Sequence, residues 1–334
     1  MIDYPVEIIL LILEHVCRSN PKQIRKIYQS NKNLQRLIDS FPYLWLLASN
    51  STCDPQKPFI PPIIQACQRN DIEAILMFVK AGISLETRDS LGQTCIYKAI
   101  IGNHQKQLLY LLNKTNLNVA DYAGRSPLRL ATDLNRKEMV RLLLPHSDIE
   151  SKTNDGRTCL FVCCEQSNTQ LFDMLKHANN NVQINTGETP LFIAIQKQNY
   201  KLVQYLLKTN DIHHTIRNGW SILHTAVSTG NEQIVKMVLR RIGPNQADIC
   251  GIHPIHLAAQ KPNYNICKML IEHGAEINCV SNSGMTPLFK ACLSGSILIV
   301  RLLLQNGARI YPERLCERLR ISFLPKALHV LKKA

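Results

Sequence analysis

Apolar positions recur along most of this chain with a helical period. Near the start, Ile8, Ile12, Leu13 and Val16 share one helical face, and Ile24, Ile27, Leu34, Leu37 and Ile38 continue a compact helical pattern. Residues 49–59, with Pro55 and Pro58, are polar and proline-punctuated and read as a linker. Beyond it the pattern becomes periodic on a longer scale. The segments GQTCIYKA, GRSPLRLA, GRTCLFVC, GETPLFIA, GWSILHTA, GIHPIHLA and GMTPLFKA begin at Gly92, Gly124, Gly156, Gly187, Gly219, Gly251 and Gly284, in steps of 32, 32, 31, 32, 32 and 33 residues. About fifteen residues after most of these glycines a second apolar helix pattern follows, as in Val140-Leu143-Leu144, Val203-Leu206-Leu207 and Val300-Leu303-Leu304.

These units resemble the ankyrin repeat, a β-turn followed by two antiparallel helices, over roughly Ile60 to Ala308. The resemblance implies that each glycine ends a hairpin tip, where a positive φ costs least without a Cβ. It also implies that Thr94, Ser126, Thr158, Thr189, Ser221 and Thr286 can cap the first helix, and that Pro127, Pro190, Pro254 and Pro287 occupy its first turn. Small residues seven after each glycine (Ala99, Ala131, Cys163, Ala194, Ala226, Ala258, Ala291) would let neighbouring helices approach closely. A half-degenerate unit, Ile63 to Asp89, keeps the repeat's closing Lys80-Ala81-Gly82 without its opening glycine, as suits a capping repeat. Cys95 and Cys159 depart from the helix-start proline, His253 departs from the threonine, and the fourth repeat ends in Ala178-Asn179-Asn180-Asn181.

Residues 1–48 resemble an F-box. That family opens on Leu-Pro-x-Glu-Ile/Leu, matched by Tyr4-Pro5-Val6-Glu7-Ile8, and closes on a stretch matched by Leu37-Ile38 and Leu44-Trp45. The combined expectation is an all-α ankyrin-repeat solenoid of about eight helix-turn-helix units with β-hairpin tips, preceded by a small helical F-box-like domain. The domains are residues 1–48 (F-box-like), 49–59 (linker), 60–308 (repeats) and 309–334, a basic pair of capping helices. F-box plus ankyrin repeats is an arrangement resembling effectors of intracellular bacteria and poxviral host-range proteins.

Composition narrows the function. The longest strictly apolar run, Ile8–Leu13, is far short of the roughly 20 residues a membrane helix needs, and Asp3 stands where a secretory signal would carry positive charge. A soluble, cytoplasmic protein is expected, or one in a host cytoplasm if it is a secreted effector. The 12 cysteines are scattered with no CxxC pair, which fits free thiols in a reducing compartment. The net charge of +14 alone points to nucleic acid, but with 6% aromatics no stacking motif accompanies it. No phosphate-binding GxxxxGK[ST] or GxGxxG occurs. Cys163 and Cys164 fall on a repeat helix where small residues belong. His253 and His256 stand three apart and could present two imidazoles to a metal, yet His256, like His224, fills the family's Thr-Pro-Leu-His position, where it is structural. No enzymatic activity, cofactor or metal is therefore expected.

Protein binding remains. By resemblance, Tyr4, Pro5, Glu7, Ile8, Ile12 and Leu13 would dock on a Skp-type adaptor of a cullin ubiquitin ligase. The concave ankyrin groove, lined by residues flanking the glycines, would hold a protein target, with an acidic segment as one expected feature. Trp220, Ile252 and Met285 hold the same place in successive repeats and predict an apolar stripe. Arg125 and Arg157 predict a basic one, with Lys197 and Lys261 deeper in the groove. The alternative is a non-enzymatic scaffold or sequestering protein whose N-terminal helices only cap the array. His213 and His214 lie between repeats and suggest no chemistry of their own.

Overall fold

A computed structural model of the protein describes residues 61–80, 83–179, 181–209, 212–216 and 218–310. The F-box-like segment, with Tyr4, Pro5, Glu7, Ile8, Ile12 and Leu13, lies outside the described residues, as do the linker and residues 311–334. The chain divides into two compact units, Met1–Asn154 and Asp155–Ala334.

In the described part of the first unit three helix pairs follow one another: α1 (Pro62–Arg69) and α2 (Ile72–Lys80), α3 (Cys95–Gly102) and α4 (Gln105–Leu112), α5 (Pro127–Asp133) and α6 (Lys137–Leu143). The described part of the second unit has five: α7 (Cys159–Glu165) and α8 (Thr169–Leu175), α9 (Pro190–Gln196) and α10 (Tyr200–Thr209), α11 (Ile222–Thr229) and α12 (Glu232–Leu239), α13 (Pro254–Gln260) and α14 (Tyr264–Glu272), α15 (Pro287–Ser294) and α16 (Ile297–Gln305). First helices pack on first helices, α1 on α3 and α3 on α5 in one unit, and α7, α9, α11, α13 and α15 in sequence in the other. Helices this short are marginal alone, so each depends on the neighbour it stacks against.

Local chemistry explains the boundaries. The side chains of Ser126, Ser221 and Thr286 accept hydrogen bonds from the third residue of the following helix, whereas Thr94 and Thr189 make no such bond. Prolines open α5, α9, α13 and α15, where a missing N–H is harmless. Four of the second helices start on asparagine: Asn168, Asn199, Asn231 and Asn263 accept from Leu171, Leu202, Ile234 and Ile266 N–H at 3.1–3.3 Å. The amides of three of them also reach the preceding repeat, Asn199 to Ser167 O, Asn231 to Gln198 Oε1 and Asn263 to Gly230 O.

The tips are hydrogen-bonded turns, and among the described residues no β-strand forms. Within a tip the residue three before the glycine donates to the residue after it, as in Asp121 N–H to Arg125 O at 2.9 Å and Asp248 N–H to Ile252 O at 2.9 Å. Successive tips are joined by single backbone bonds, Tyr122 to Leu91 in the first unit, and Asn185 to Asp155, Ile249 to Asn218 and Asn282 to Cys250 in the second. Gly219 shows what this closeness demands. Its φ is +77°, and a Cβ there would lie 2.8 Å from the backbone nitrogen of Ile249.

The small residues seven after each glycine are the most enclosed part of the core, each at 0–1% exposure. An aspartate in place of Ala226 would bury an unpaired charge between stacked helices. Ala226→Asp should therefore cost about 3–5 kcal/mol, read as a lowered urea midpoint. A midpoint within error of the parent would place that position outside the stack.

Candidate functional site

The tip face of the second unit brings together three of the side chains singled out from sequence. Trp220, Ile252 and Met285 follow equivalent glycines in consecutive, backbone-bonded tips, and all three are half-buried. Trp220 is not the free anchor its position suggests. Its Nε1–H donates to Asp248 Oδ2 at 3.2 Å, and its ring stacks on His224 with centroids 6.0 Å apart and planes 24° apart. The large apolar side chains that do stand out at tips are Ile249 in this unit (66% exposed) and Leu91 and Tyr122 in the other (58% and 66%). The signal for them was available in sequence: they lie one or two residues before a tip glycine, where the repeat has no packing use for an apolar side chain.

The arginines are placed differently from the expectation of a basic stripe. They belong to separate units, and each spends its charge nearby. Arg125 pairs through Nη2 and Nε with Asp121 Oδ2 at 2.8 and 2.9 Å. Arg157 pairs with Asp155 at 2.7 Å and Glu165 at 2.9 Å, its guanidinium 5.6 Å from the Phe161 ring centroid. The reason is local. Asp121 Oδ1 is already fixed by the N–H groups of Ala123 and Arg125, so its second oxygen faces the arginine side chain. Gln93, at the same place in the second repeat, is buried and accepts from Lys98 Nζ at 2.8 Å. Lys98 is itself ion-paired with Asp89 at 2.6 Å. Burial opposes ionisation of Asp89, but Lys98 and the Gln93 and Leu91 N–H groups outweigh it and hold its carboxyl below the usual range.

Lys197 and Lys261 are exposed at the ends of α9 and α13. Lys261 Nζ donates to Ser228 O of the preceding repeat. The turn it sits in is unlike its counterparts. Asn103, Asn135, Ser167 and Gln198 take positive φ there, whereas Pro262 cannot, and Lys261 before it is extended at φ −91° and ψ 110°. Between repeats, His214 Nδ1 lies 3.0 Å from Gln183 Nε2, so it links adjacent loops, and His213 is exposed.

Beneath the tips, polar side chains from first helices reach the next tip's backbone. The Tyr97 hydroxyl sits 2.7 Å from Val119 O and also against Arg125 O. His224 Nε2–H donates to Ile252 O at 2.8 Å and His256 Nε2–H to Met285 O at 3.0 Å. Each histidine's Nδ1 accepts the N–H of its own cap residue, Ser221 or His253, both at 3.1 Å. Burial pushes both imidazoles below the ordinary value, His256 to about 4. The tip carbonyls pull the other way, as does Asp248 at His224, while His253 and Lys290 add to the depression at His256.

All nine described cysteines are free thiols, and only Cys250 among them is exposed. Burial, with the charge of Glu165, pushes the Cys164 thiol well up, the opposite of what a nucleophile needs.

The histidine joints give a pH dependence. Below pH 6.5 the unfolded chain binds protons at both positions that the folded chain resists, down to about pH 4 at His256, so stability is fully present above pH 6.5 and falls as the pH drops. The loss from His256 between pH 6.5 and 5 should be about 1.5 kcal/mol, measured by urea unfolding, and His256→Asn should flatten the profile. A midpoint constant from pH 7 to 5 would contradict neutral, load-carrying imidazoles.

A family model described as ankyrin repeats (3 copies) matches the chain in five overlapping stretches, residues 63–155, 107–186, 137–218, 160–248 and 223–313. Among curated proteins the chain is similar to human transient receptor potential cation channel subfamily A member 1, 23% identical over 68% of this chain and 25% of that one. It is also similar to the mouse B-cell lymphoma 3 protein homolog, 25% identical over 69% and 48%. A third relative is a putative ankyrin repeat protein of fowlpox virus (strain NVSL), 32% identical over 33% and 34%. The chain thus spans less than half the length of these relatives. Periodic tips, stacked helix pairs and a family match running from residue 63 to 313 lead to one conclusion: the chain belongs to the ankyrin-repeat family.

Proposed function

We propose that this protein is a non-enzymatic, cytoplasmic substrate receptor that brings a protein target to a Skp–cullin-type ubiquitin ligase. Ankyrin repeats indicate a protein-interaction role, and the tips offer apolar side chains that the fold does not use, Leu91 and Tyr122 in one unit and Ile249 in the other. The observation that carries the ligase reading is the F-box-like pattern Tyr4-Pro5-Val6-Glu7-Ile8 with Leu37-Ile38 and Leu44-Trp45, set ahead of the repeats by a proline-containing linker. The array would do no bond chemistry, in keeping with described thiols that are mostly buried and with tip arginines, Arg125 and Arg157, that are ion-paired. Its work is to hold a target near a ubiquitin-loaded enzyme and so raise effective concentration. The fowlpox relative is named as an ankyrin repeat protein, and so supports the repeat part of this reading. Read without the N-terminal resemblance, the same face serves a scaffold or sequestering protein.

Deletion of residues 1–50, or a Pro5→Ala/Ile8→Ala double variant, should abolish capture of a Skp-type adaptor while leaving the repeat array's melting temperature unchanged. Full-length protein that binds no adaptor at micromolar concentration would leave the scaffold reading in its place.

Target binding should depend on the tip face of the second unit. Trp220→Ala removes a half-buried ring whose exposed part His224 and Asp248 hold in one orientation, and aromatic side chains fixed in this way at interface centres commonly contribute about 2 kcal/mol or more. Affinity for a target recovered by pull-down should fall roughly 30-fold. Unchanged affinity would confine Trp220 to tip packing.

A further inference from the structure

His224 and His256 are twins in consecutive repeats. Both rings accept a cap N–H at Nδ1 and donate from Nε2 to the next tip's carbonyl. What surrounds Nδ1 differs. Beside His224 the cap residue is Ser221, and the position five residues before the next tip glycine is Gln246, which is exposed. Beside His256 the corresponding residues are His253 and Cys279. One departure from the cap pattern, His253, and a cysteine at a position that varies between repeats thus deliver an imidazole and a thiol to one buried imidazole.

The geometry is that of a ligand set. Cys279 Sγ lies 3.8 Å from His256 Nδ1, and the rings of His253 and His256 are 5.7 Å apart. One donor atom from each of the three residues lies within 4.8 Å of the other two. His256 is fully buried, Cys279 is buried and His253 is half-buried. The bond from His256 Nε2–H to Met285 O is the outer contact that metal-bound histidines make, and it leaves Nδ1 as the ligating nitrogen, which now accepts the His253 N–H at 3.1 Å with the Cys279 sulfur beside it. His253 Nδ1 faces Gly251 O at 3.3 Å, which leaves its Nε2 as the donor. Donors around a first-row metal stand roughly 3.5 Å apart, so the triangle must tighten by about 1 Å. Binding at His256 Nδ1 would displace the His253 N–H that it accepts, and His253, the half-buried member of the three, is the residue that would move.

We propose that His253, His256 and Cys279 bind one copper(I) ion at the joint between the last two described repeats. The donors are two imidazoles and a thiolate with no carboxylate, a set that favours soft ions. Charge selects within that class. Copper(I) with the thiolate is neutral, whereas zinc(II) would leave a net positive charge in a buried place near Lys290 and would still need a fourth ligand. The ion would tie α13 to the loop leading into α15, adding a link that the His224 joint lacks.

The test is anaerobic titration of the reduced, full-length protein with copper(I) against a coloured copper(I) chelator. The expected result is one ion retained per chain, with X-ray absorption showing nitrogen and a single sulfur around it. Cys279→Ser and His253→Thr should each weaken retention at least about tenfold. Threonine already holds the equivalent cap position at Thr286, so the second variant keeps the cap, and the melting temperatures without metal should match the parent. Cys250→Ser, which removes the one exposed thiol among the described residues, should retain the ion. Three outcomes would each overturn the proposal: no retained ion in the parent, undiminished retention in both site variants, or loss in Cys250→Ser. One zinc(II) held in preference to copper(I), and lost in both site variants, would overturn the assignment of the ion.

Discussion

The centre of every first helix from the second repeat onward carries a side chain no larger than cysteine, and the rest of the structure depends on how close that lets the repeats come. At these positions, from Ala99 to Ala291, no more than 1% of the residue is exposed. Close helices bring the tips close, and single backbone bonds of 2.8–3.5 Å then join one tip to the next. A bulkier side chain would part the helices and those bonds together. In a solenoid, where each repeat touches only its neighbours, such a spacing error has no other contact to absorb it.

Five residues after each tip glycine, the chain meets one problem in several ways. At Tyr97, His224 and His256 the position faces the next tip from within the stack. These three bond a tip carbonyl there, while Phe161, Phe192 and Phe289 fill the space with apolar surface. Arg129 takes a third course and pairs with Asp133 at 3.0 Å. A buried polar group must find its partner, so the polar solutions bring direction as well as contact. They also bring titration, and in one repeat they supply the centre of a soft-ligand cluster. Partner binding and metal binding would use different atoms of the same scaffold, the outward side chains of the tips for one and the ring nitrogens beneath them for the other.

The repeat, its glycines, its proline-opened helices and its small core residues were all legible in the sequence, because each is a local or periodic requirement. A tight turn with positive φ needs glycine, a helix start tolerates proline, and a stacked helix needs a small residue at one phase; none of these depends on which neighbour is present. The state of the side chains on the tip face was not legible in the same way. Arg125 and Arg157 have the right position to be binding charges, but Asp121 in one case and Asp155 with Glu165 in the other neutralise them. Trp220 has the right position to be an anchor, but Asp248 and His224, from an adjacent tip and from its own repeat, hold it half-buried.

The sequence by itself determined the architecture: a 31- to 33-residue period can be satisfied only by stacking like units, and each unit carries its own turn and helix signals. The tertiary structure alone decided which polar groups meet. Cys279 lies 23 residues from His256 along the chain, yet its sulfur is 3.8 Å from that ring, because stacking places the loop of one repeat against the helix of the one before. The asparagines that open second helices act in the same way, capping their own helix and reaching back to the previous repeat. Contacts between repeats join residues some 30 positions apart, with bonds set by ångströms of stacking distance. That is why spacing in sequence announces the repeat while the pairs across its joints appear only in three dimensions.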